Sequence, residues 1–156
     1  MCQWKVKILY MFGFLFKRKK PAATGKPRSA DVGKWGEDLA TAFLTRNGFD
    51  VLGRNVRPNR RDEIDIIAQK GETLVFVEVK TRRQEDFGRP VRAVDKGKRH
   101  ALNRAAAAYL RNARYPNLFY RFDVVEVLGQ PESTAAPVIR HLDNVFPFEA
   151  WRTFPV

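Results

Sequence analysis

The sequence predicts a mixed α/β domain with the element order αβββαβ and a short further strand, in which helices pack on a mixed sheet. Two segments place apolar residues at helical spacing, and five others have the composition of strands. The chain has 156 residues, of which 44% are hydrophobic, and this suits one domain with a core of its own. The expected fold class is therefore α+β, with a mixed central sheet.

Residues 1–30 differ in composition from the rest of the chain. They hold eight Lys and Arg and no acid, whereas the other 126 residues hold 21 Lys and Arg against 17 acids. The apolar run 8–16 has nine residues, too few for a transmembrane helix, which needs about 20. We therefore expect no integral membrane segment, a basic disordered extension over 1–30, a folded domain over 31–147 and a C-terminal tail over 148–156. An amphiphile that binds a membrane surface is the alternative for the extension.

The first predicted helix begins after Asp31, whose side chain can act as the N-cap. Apolar residues then follow at helical spacing in one stripe, and Gly48 stands where the helix should end. Glu37 lies at the flank of this stripe, about 75° from its centre, which puts it near the edge of the sheet. An acid here also stabilises the helix dipole, so Glu37 has a structural interpretation beside a functional one.

The remaining elements follow from apolar and β-branched runs that are separated by turn-forming residues. They are strands over 49–56, 62–69 and 73–81, a charged loop over 82–90, a helix over 95–113, and strands over 118–128 and 138–142. Arg121 and Asp123 share one face of the fourth strand. They can form an ion pair that either supports a site or is purely structural.

Carboxylates and one lysine stand among aliphatic residues where the second and third strands should form a hairpin. Because side chains alternate across a strand, Glu78 and Lys80 share one face. A two-residue turn at Gly71-Glu72, with glycine first as type II′ requires, pairs Asp65 with Glu78. A turn centred on Lys70-Gly71 is the alternative, and it makes the two acids diagonal neighbours on the same face. A three-residue turn without a bulge would put the two acids on opposite faces.

The paired acids need a compensating charge. Two carboxylates about 5 Å apart repel by about 3 kcal/mol at an effective dielectric constant near 20. Glu63 adds a third acid, and Lys80, the one cation of the hairpin, offsets only part of the repulsion. The group should therefore hold a proton or bind a divalent cation. Asp65, Glu78 and the carbonyl of Val79 offer the hard oxygen ligands that suit Mg²⁺ or Mn²⁺.

These parts are the ones that phosphodiester cleavage needs, because Lys80 can orient a metal-bound water or stabilise negative charge in the transition state. The alternative is an ordinary salt-bridged hairpin on a solvated strand face. With one Cys and two distant His, a zinc site of the Cys/His type is excluded.

The net charge of +12 predicts a polyanionic partner, nucleic acid before an anionic membrane surface. Lys and Arg are also dense next to the hairpin, where residues 80–104 hold nine of them against three acids. The residues expected to contact a phosphate backbone are Arg57, Arg60, Arg61, Arg82, Arg83, Lys96, Lys98 and Arg99. For the helical ones the alternative is an ordinary solvated face.

With these residues in view, the chain resembles the YraN family of small bacterial proteins, which are predicted endonucleases related to Holliday-junction resolvases. The matching motifs are Gly33-x-x-Gly36-Glu37, Glu63-Ile64-Asp65, Val75-Phe76-Val77-Glu78-Val79-Lys80-Thr81-Arg82, Phe87-Gly88, Lys98-x₃-Leu102, Tyr109-Leu110, Arg121-Phe122-Asp123-Val124 and Asn144 to Phe146. Asp62 stands where the family usually has glycine. The resemblance covers about residues 31–146.

This resemblance implies a restriction-endonuclease-like fold with a PD-(D/E)xK type of site. Asp65 and Glu78 would be metal ligands, Lys80 the catalytic lysine and Glu37 an accessory catalytic acid from the first helix. Glu63 matches the family pattern as a further accessory acid. The expected cofactor is Mg²⁺ or Mn²⁺.

Three functions remain open from the sequence. The first is a metal-dependent endonuclease that acts on branched or otherwise structured DNA in the cytoplasm. The second is a non-catalytic nucleic-acid-binding protein that keeps the nuclease fold, and the third is a structural or membrane-surface role carried by residues 1–20. Resolution of a junction would need a homodimer to cut two strands, and the sequence identifies no dimer face.

Overall fold

Six strands and two helices make up the part of the chain that the computed structural model describes, namely residues 28–83, 94–114 and 119–149 and the backbone of 6–10. In chain order they are β1 (Val6–Tyr10), α1 (Ser29–Arg46), β2 (Asp50–Val56), β3 (Ile64–Lys70), β4 (Thr73–Arg82), α2 (Lys96–Asn112), β5 (Phe119–Leu128) and β6 (Val138–Leu142). From α1 to β5 the order is the predicted αβββαβ, and β6 has the bounds that were predicted for the short further strand.

The strands form one mixed sheet in the order β1-β6-β5-β4-β3-β2. β4 and β5 run parallel to each other, whereas the other neighbouring pairs are antiparallel. α2 connects the two parallel strands, because parallel neighbours cannot be joined by a tight turn. The predicted class, an α+β fold with a mixed sheet, is confirmed.

The two helices cover opposite faces of the sheet. On one face, Phe43 and Leu44 of α1 share a buried core with Val75 and Val77 of β4. The core on the other face joins α2 to the sheet through Leu102, Ala105, Ala106, Leu110, Leu74, Phe76, Phe122 and Val124. Successive residues of β4 therefore alternate between the two cores, as the period of a strand requires.

The β3–β4 hairpin has the predicted two-residue turn. Lys70 pairs with Thr73, so that Gly71 and Glu72 are the turn residues. Gly71 has φ 57°, a left-handed conformation that glycine adopts without strain and that type II′ requires at this position. The ladder extends to the pair of Ile66 with Val77. The register thus makes Asp65 and Glu78 the next opposed positions.

Two boundaries differ from the prediction. The N-cap of α1 is Arg28, not Asp31, which lies in the first turn and accepts a hydrogen bond from Arg28 Nε at 3.3 Å. β3 begins at Ile64, so Asp62 and Glu63 precede the strand. An N-cap and a strand start depend on the tertiary contacts of side chains, which outweigh local propensity here.

The predicted domain limits stay predictions. Residues 1–5, 11–27, 84–93, 115–118 and 150–156 lie outside the described part, and so do most of the predicted extension, most of the charged loop and most of the C-terminal tail. Within the extension, β1 pairs with β6 at the edge of the sheet. None of the helices in the described part is long and apolar enough to cross a membrane.

Candidate functional site

Asp65 lies where β3 and β4 stop pairing with each other. Its side chain is half-buried, and its Oδ2 accepts a hydrogen bond from the main-chain N–H of Val79 at 2.7 Å. The Asp65 carboxylate thus accepts the Val79 N–H in place of a main-chain carbonyl of β3. Glu78, the neighbour of Val79, is 7% exposed.

The two acids interact strongly. Burial and the neighbouring Glu78 carboxylate raise the pKa of Asp65 to about 6, even though the Val79 N–H and Lys98 oppose the shift. Glu37 of α1 contributes further in the raising direction. The predicted pair of like charges at the end of the hairpin therefore exists, and one proton or cation relieves its repulsion.

Lys98 supplies a second cation to this group. Its Nζ lies 2.9 Å from Glu78 Oε2, and its own N–H donates to the N-cap side chain of Asp95 at 2.9 Å, which fixes the first turn of α2. Burial disfavours the charged ammonium, but the ion pair with Glu78 outweighs that effect and raises the pKa of Lys98 above its ordinary value. The sequence-based count, in which Lys80 was the one cation, is therefore wrong. The contact joins α2 to β4, and no local pattern reveals it.

Glu78 keeps acceptor capacity despite this ion pair. Glu78 Oε2 lies 2.9 Å from the Lys98 ammonium. A carboxylate oxygen has two lone pairs, so this oxygen can accept a further ligand beside Lys98. The donor set of Asp65, Glu78 and the Val79 carbonyl therefore fits a hard divalent cation. The described residues contain no cluster of three or more His, Cys, Asp or Glu side chains with metal-binding geometry.

Glu37 reaches this end of the sheet because α1 packs closely on β4. A Cβ on Gly36 would lie 1.8 Å from Thr81 Oγ1, so the helix can approach β4 only with glycine at that position. Glu37 Oε2 accepts a hydrogen bond from Asn55 Nδ2 at 3.0 Å. Asn55 itself has φ 49°, so a left-handed residue in β2 holds the acid.

Glu63 and Lys80 have different surroundings. Glu63 precedes β3, and its Oε2 lies 2.7 Å from Arg57 Nη2. The charge of Glu63 also contributes to the raised pKa of Lys98, after the effects of Glu78 and Asp65. Lys80 is half-buried and lies two residues beyond Glu78 on the same face of β4. The parallel register sets Lys80 beside Glu126 of β5.

Asp62, the departure from the family pattern, does not join the paired acids. Its carboxylate receives Arg104 Nη2 at 2.8 Å and Nε at 3.2 Å, and it also accepts from Asn59 Nδ2 at 3.2 Å. Burial alone would raise the pKa of Asp62, but the hydrogen bonds from Arg104 and Asn59 keep it below the ordinary value. Asp62 therefore ties the β2–β3 loop to α2.

The other predicted nucleic-acid contacts are spread around the site. Arg60, Arg61, Arg83 and Lys96 are exposed. Arg82 Nε lies 3.6 Å from Glu126 Oε1. Arg99 is exposed overall, but its Nε donates to the carbonyl of Val94 at 2.7 Å. Whether any of them contacts a nucleic acid stays a prediction.

A second polar group lies on the α1 face of the sheet. Asp123 Oδ2 is 3.0 Å from Arg121 Nη2 and 2.8 Å from His141 Nε2, and its Oδ1 accepts from the N–H of Asn144 at 2.9 Å. The ion pair of Arg121 with Asp123 is therefore present, as the sequence suggested. His141 was missed, because only the register of β5 with β6 brings it to Asp123.

Comparison with known proteins gives one consistent result. The model of the family described as "Uncharacterised protein family UPF0102" matches residues 36–127. A UPF0102 protein of Symbiobacterium thermophilum is 48% identical over 104 residues, 67% of this chain and 87% of the relative. One of Geobacter sulfurreducens is 40% identical over 127 residues, 81% of this chain and 96% of the relative. One of Clostridium beijerinckii is 37% identical over 121 residues, 78% of this chain and 97% of the relative.

Proposed function

This chain belongs to the UPF0102 family, which confirms the resemblance to YraN proteins, and from its site we propose that it is a metal-dependent endonuclease that hydrolyses phosphodiester bonds in DNA, branched or otherwise structured. The observation that carries the proposal is the opposed pair of Asp65 and Glu78 at the end of the β3–β4 hairpin, where burial and then the repulsion between the two acids raise the pKa of Asp65 to about 6. Folded proteins seldom keep two largely buried acids together with only one cation beside them unless the pair has a ligand or a function.

Each residue of the site would have a different chemical role. Asp65, Glu78 and the Val79 carbonyl would hold Mg²⁺ or Mn²⁺, which when bound neutralises a phosphodiester and lowers the pKa of water. Lys80 would bring a positive charge to the non-bridging oxygens from the same face of β4 as Glu78. Glu37, whose carboxylate accepts a hydrogen bond from Asn55, would be an accessory acid that orients the substrate by hydrogen bonding. Lys98 supplies a positive charge 2.9 Å from Glu78 Oε2.

A second candidate function also has an observation in its favour. The ion pair between Lys98 and Glu78 partly neutralises the acids with no metal at all. A protein that binds nucleic acid without cutting it could be stable with this arrangement. The two candidates differ in one measurable property, which is cleavage of DNA.

The test is cleavage of linear, flapped and four-way DNA with Mg²⁺ or Mn²⁺. We expect the unmodified chain to cut, and Asp65→Ala and Lys80→Ala each to abolish cutting, by at least about 100-fold, because each removes charge stabilisation in the transition state. Binding measured in EDTA should survive in both variants. Glu72→Gln, in the exposed turn at the other end of the hairpin, is the matched control and should cut normally. Cutting that persists in Asp65→Ala would exclude the assigned site, and binding without any cutting would favour the second candidate.

A further inference from the structure

Four arginines line one cavity between the β2–β3 loop and the outer side of α2. The cavity has a volume of about 520 Å³ and is lined by Asn59, Arg60, Arg61, Asp62, Arg104, Ala107 and Arg111. We call the four residues Arg60, Arg61, Arg104 and Arg111 the arginine surface. We propose that the arginine surface binds the phosphodiester backbone of a nucleic acid at phosphates other than the one that is cleaved.

The charge balance of this cavity favours an anion. Its one carboxylate, Asp62, is already paired with Arg104, which leaves an excess of three positive charges among the lining residues. Of the described contacts, none pairs Arg60 or Arg111 with an acid. Clustered like charges disfavour the folded state, so such a group is more readily explained by a bound polyanion than by stability.

The contact with Asp62 fixes the Arg104 side chain and leaves part of its guanidinium group accessible to a ligand. Nε and Nη2 donate to the 94% buried side chain of Asp62, while the Arg104 side chain as a whole remains 47% exposed. A guanidinium carries five N–H donors in a rigid fork, so about three donors remain for a phosphate. The pair with Asp62 fixes the rotamer in advance, which lowers the entropy that binding would otherwise lose.

The spacing of the arginines along α2 suits a nucleic-acid backbone. Arg104 and Arg111 are two turns apart on α2, an axial distance of about 10.5 Å, which is the rise of about three nucleotides along one strand of B-DNA. Ala107 lies between them on the same side of the helix and lines the same cavity. A single small anion would use only part of this surface, whereas an extended phosphodiester chain can contact all of it.

The surface lies next to the paired acids but does not include them. Asp62 is three residues before Asp65, so their Cα atoms are at most about 11 Å apart. Glu63, which lies between Asp62 and Asp65 in the chain, forms an ion pair with Arg57. A duplex bound at the acids can therefore continue onto the arginine surface. The inference rests on the proposed function for the identity of the partner, but not for cleavage.

The experiment is binding of a labelled four-way junction and of a linear duplex in EDTA, for the full-length chain and for Arg111→Gln. Removing one phosphate contact should weaken binding about fivefold at moderate salt and lower the slope of log K against log salt by about 0.9. Lys34→Gln is the matched control, because it removes one exposed positive charge from α1 on the opposite face. It should leave the slope unchanged. Arg60→Gln provides a second variant of the surface, with the same expectation as Arg111→Gln.

Equal binding by Arg111→Gln, Arg60→Gln and the unmodified chain would overturn the inference. So would an equal loss in Lys34→Gln, which would indicate a response to net charge alone. The last measurement is a competition in which inorganic phosphate is added to the DNA complex at constant ionic strength. Displacement of DNA by millimolar phosphate would assign the cavity to a free anion instead. If the chain cuts no DNA but Arg111→Gln still weakens binding, the proposed nuclease fails while this inference stands.

Discussion

Asp65 is the residue whose ionisation most affects the folded state. Its pKa is about 6 in the folded chain, against an ordinary value of 3.8, so the folded chain binds this proton more tightly than the unfolded chain does. The stabilising effect of the proton is complete below about pH 4 and is lost as the pH rises through 6. At neutral pH without a metal, the Asp65 carboxylate therefore destabilises the fold.

We accordingly predict that Asp65→Asn raises the free energy of unfolding at pH 7.5 in EDTA, by about 1–2 kcal/mol. Asparagine removes the charge but keeps an oxygen that can accept the Val79 N–H. The gain should vanish near pH 4, where the natural carboxyl is protonated. Urea unfolding at the two pH values measures this, with Glu72→Gln as the control. A loss of stability at pH 7.5 would contradict the assigned repulsion.

The residue scale also shows what the sequence could not predict. Asp65, Glu78 and the turn that pairs them follow from the alternation of side chains along two adjacent strands. Lys98 and Arg104 do not, because their partners Glu78 and Asp62 are distant in the sequence and come together only through packing of α2. Acids whose partners are distant look unpaired in a sequence, and this is why the metal-free neutralisation by Lys98 was missed.

At the scale of elements, the approach of α1 to β4 determines where Glu37 lies. We predict that Gly36→Ala destabilises the fold by about 1–3 kcal/mol, because the new Cβ would overlap Thr81. Rotation of Thr81 would not relieve the overlap fully, since its Cβ is also only 3.0 Å away. DNA cleavage should fall as well, because Glu37 moves with the helix.

Gly33→Ala is the matched control on the same helix. A Cβ at Gly33 would meet nothing within 4 Å, so alanine should be neutral or stabilise α1 by up to about 1 kcal/mol through helix propensity. Thermal unfolding of the two variants gives the comparison. If both alanines have the same effect, close packing of α1 on β4 does not set the position of Glu37.

Element identity was predictable where one local signal was sufficient. The helix predicted to begin at Asp95 is α2, with Asp95 as its N-cap, and β6 has the predicted bounds. The start of α1 was not predictable in this way, because Arg28 makes no capping hydrogen bond with its side chain and the helix forms through packing of its later turns. The Asp62–Glu63 segment resembles a strand in sequence, but the Asn59 side chain, which accepts from the N–H groups of Arg61 and Asp62, holds a turn there instead.

For the whole molecule, the basic N-terminal segment meets the domain at the edge of the sheet, where β1 pairs with β6. The buried core residues of the described part lie between Ala40 and Phe146. The 121 residues of this chain that match the Clostridium beijerinckii relative cover 97% of the relative's length.

We therefore predict that a chain starting at residue 28 unfolds cooperatively and cleaves DNA at saturating enzyme as the full chain does. It should lose binding to vesicles that contain phosphatidylserine, because the removed segment carries seven Lys and Arg and no acid. Circular dichroism melts, single-turnover cleavage and vesicle co-sedimentation measure the three properties. Loss of cooperative unfolding would mean that pairing of β1 with β6 is essential to the domain.

The turn at Gly71 and Glu72 has a consequence for how such a chain can evolve. It lies about 17–20 Å along β3 from Asp65 and touches none of the paired acids. Yet inserting or deleting one residue there would reverse which face of β3 opposes Glu78 and would separate the acids. Amino-acid replacements at Glu72 should be inherited freely, whereas Gly71 should stay glycine because its φ is positive, and changes of length should occur in pairs or together with a bulge. The residue count of the turn is thus under the same selection as the site itself.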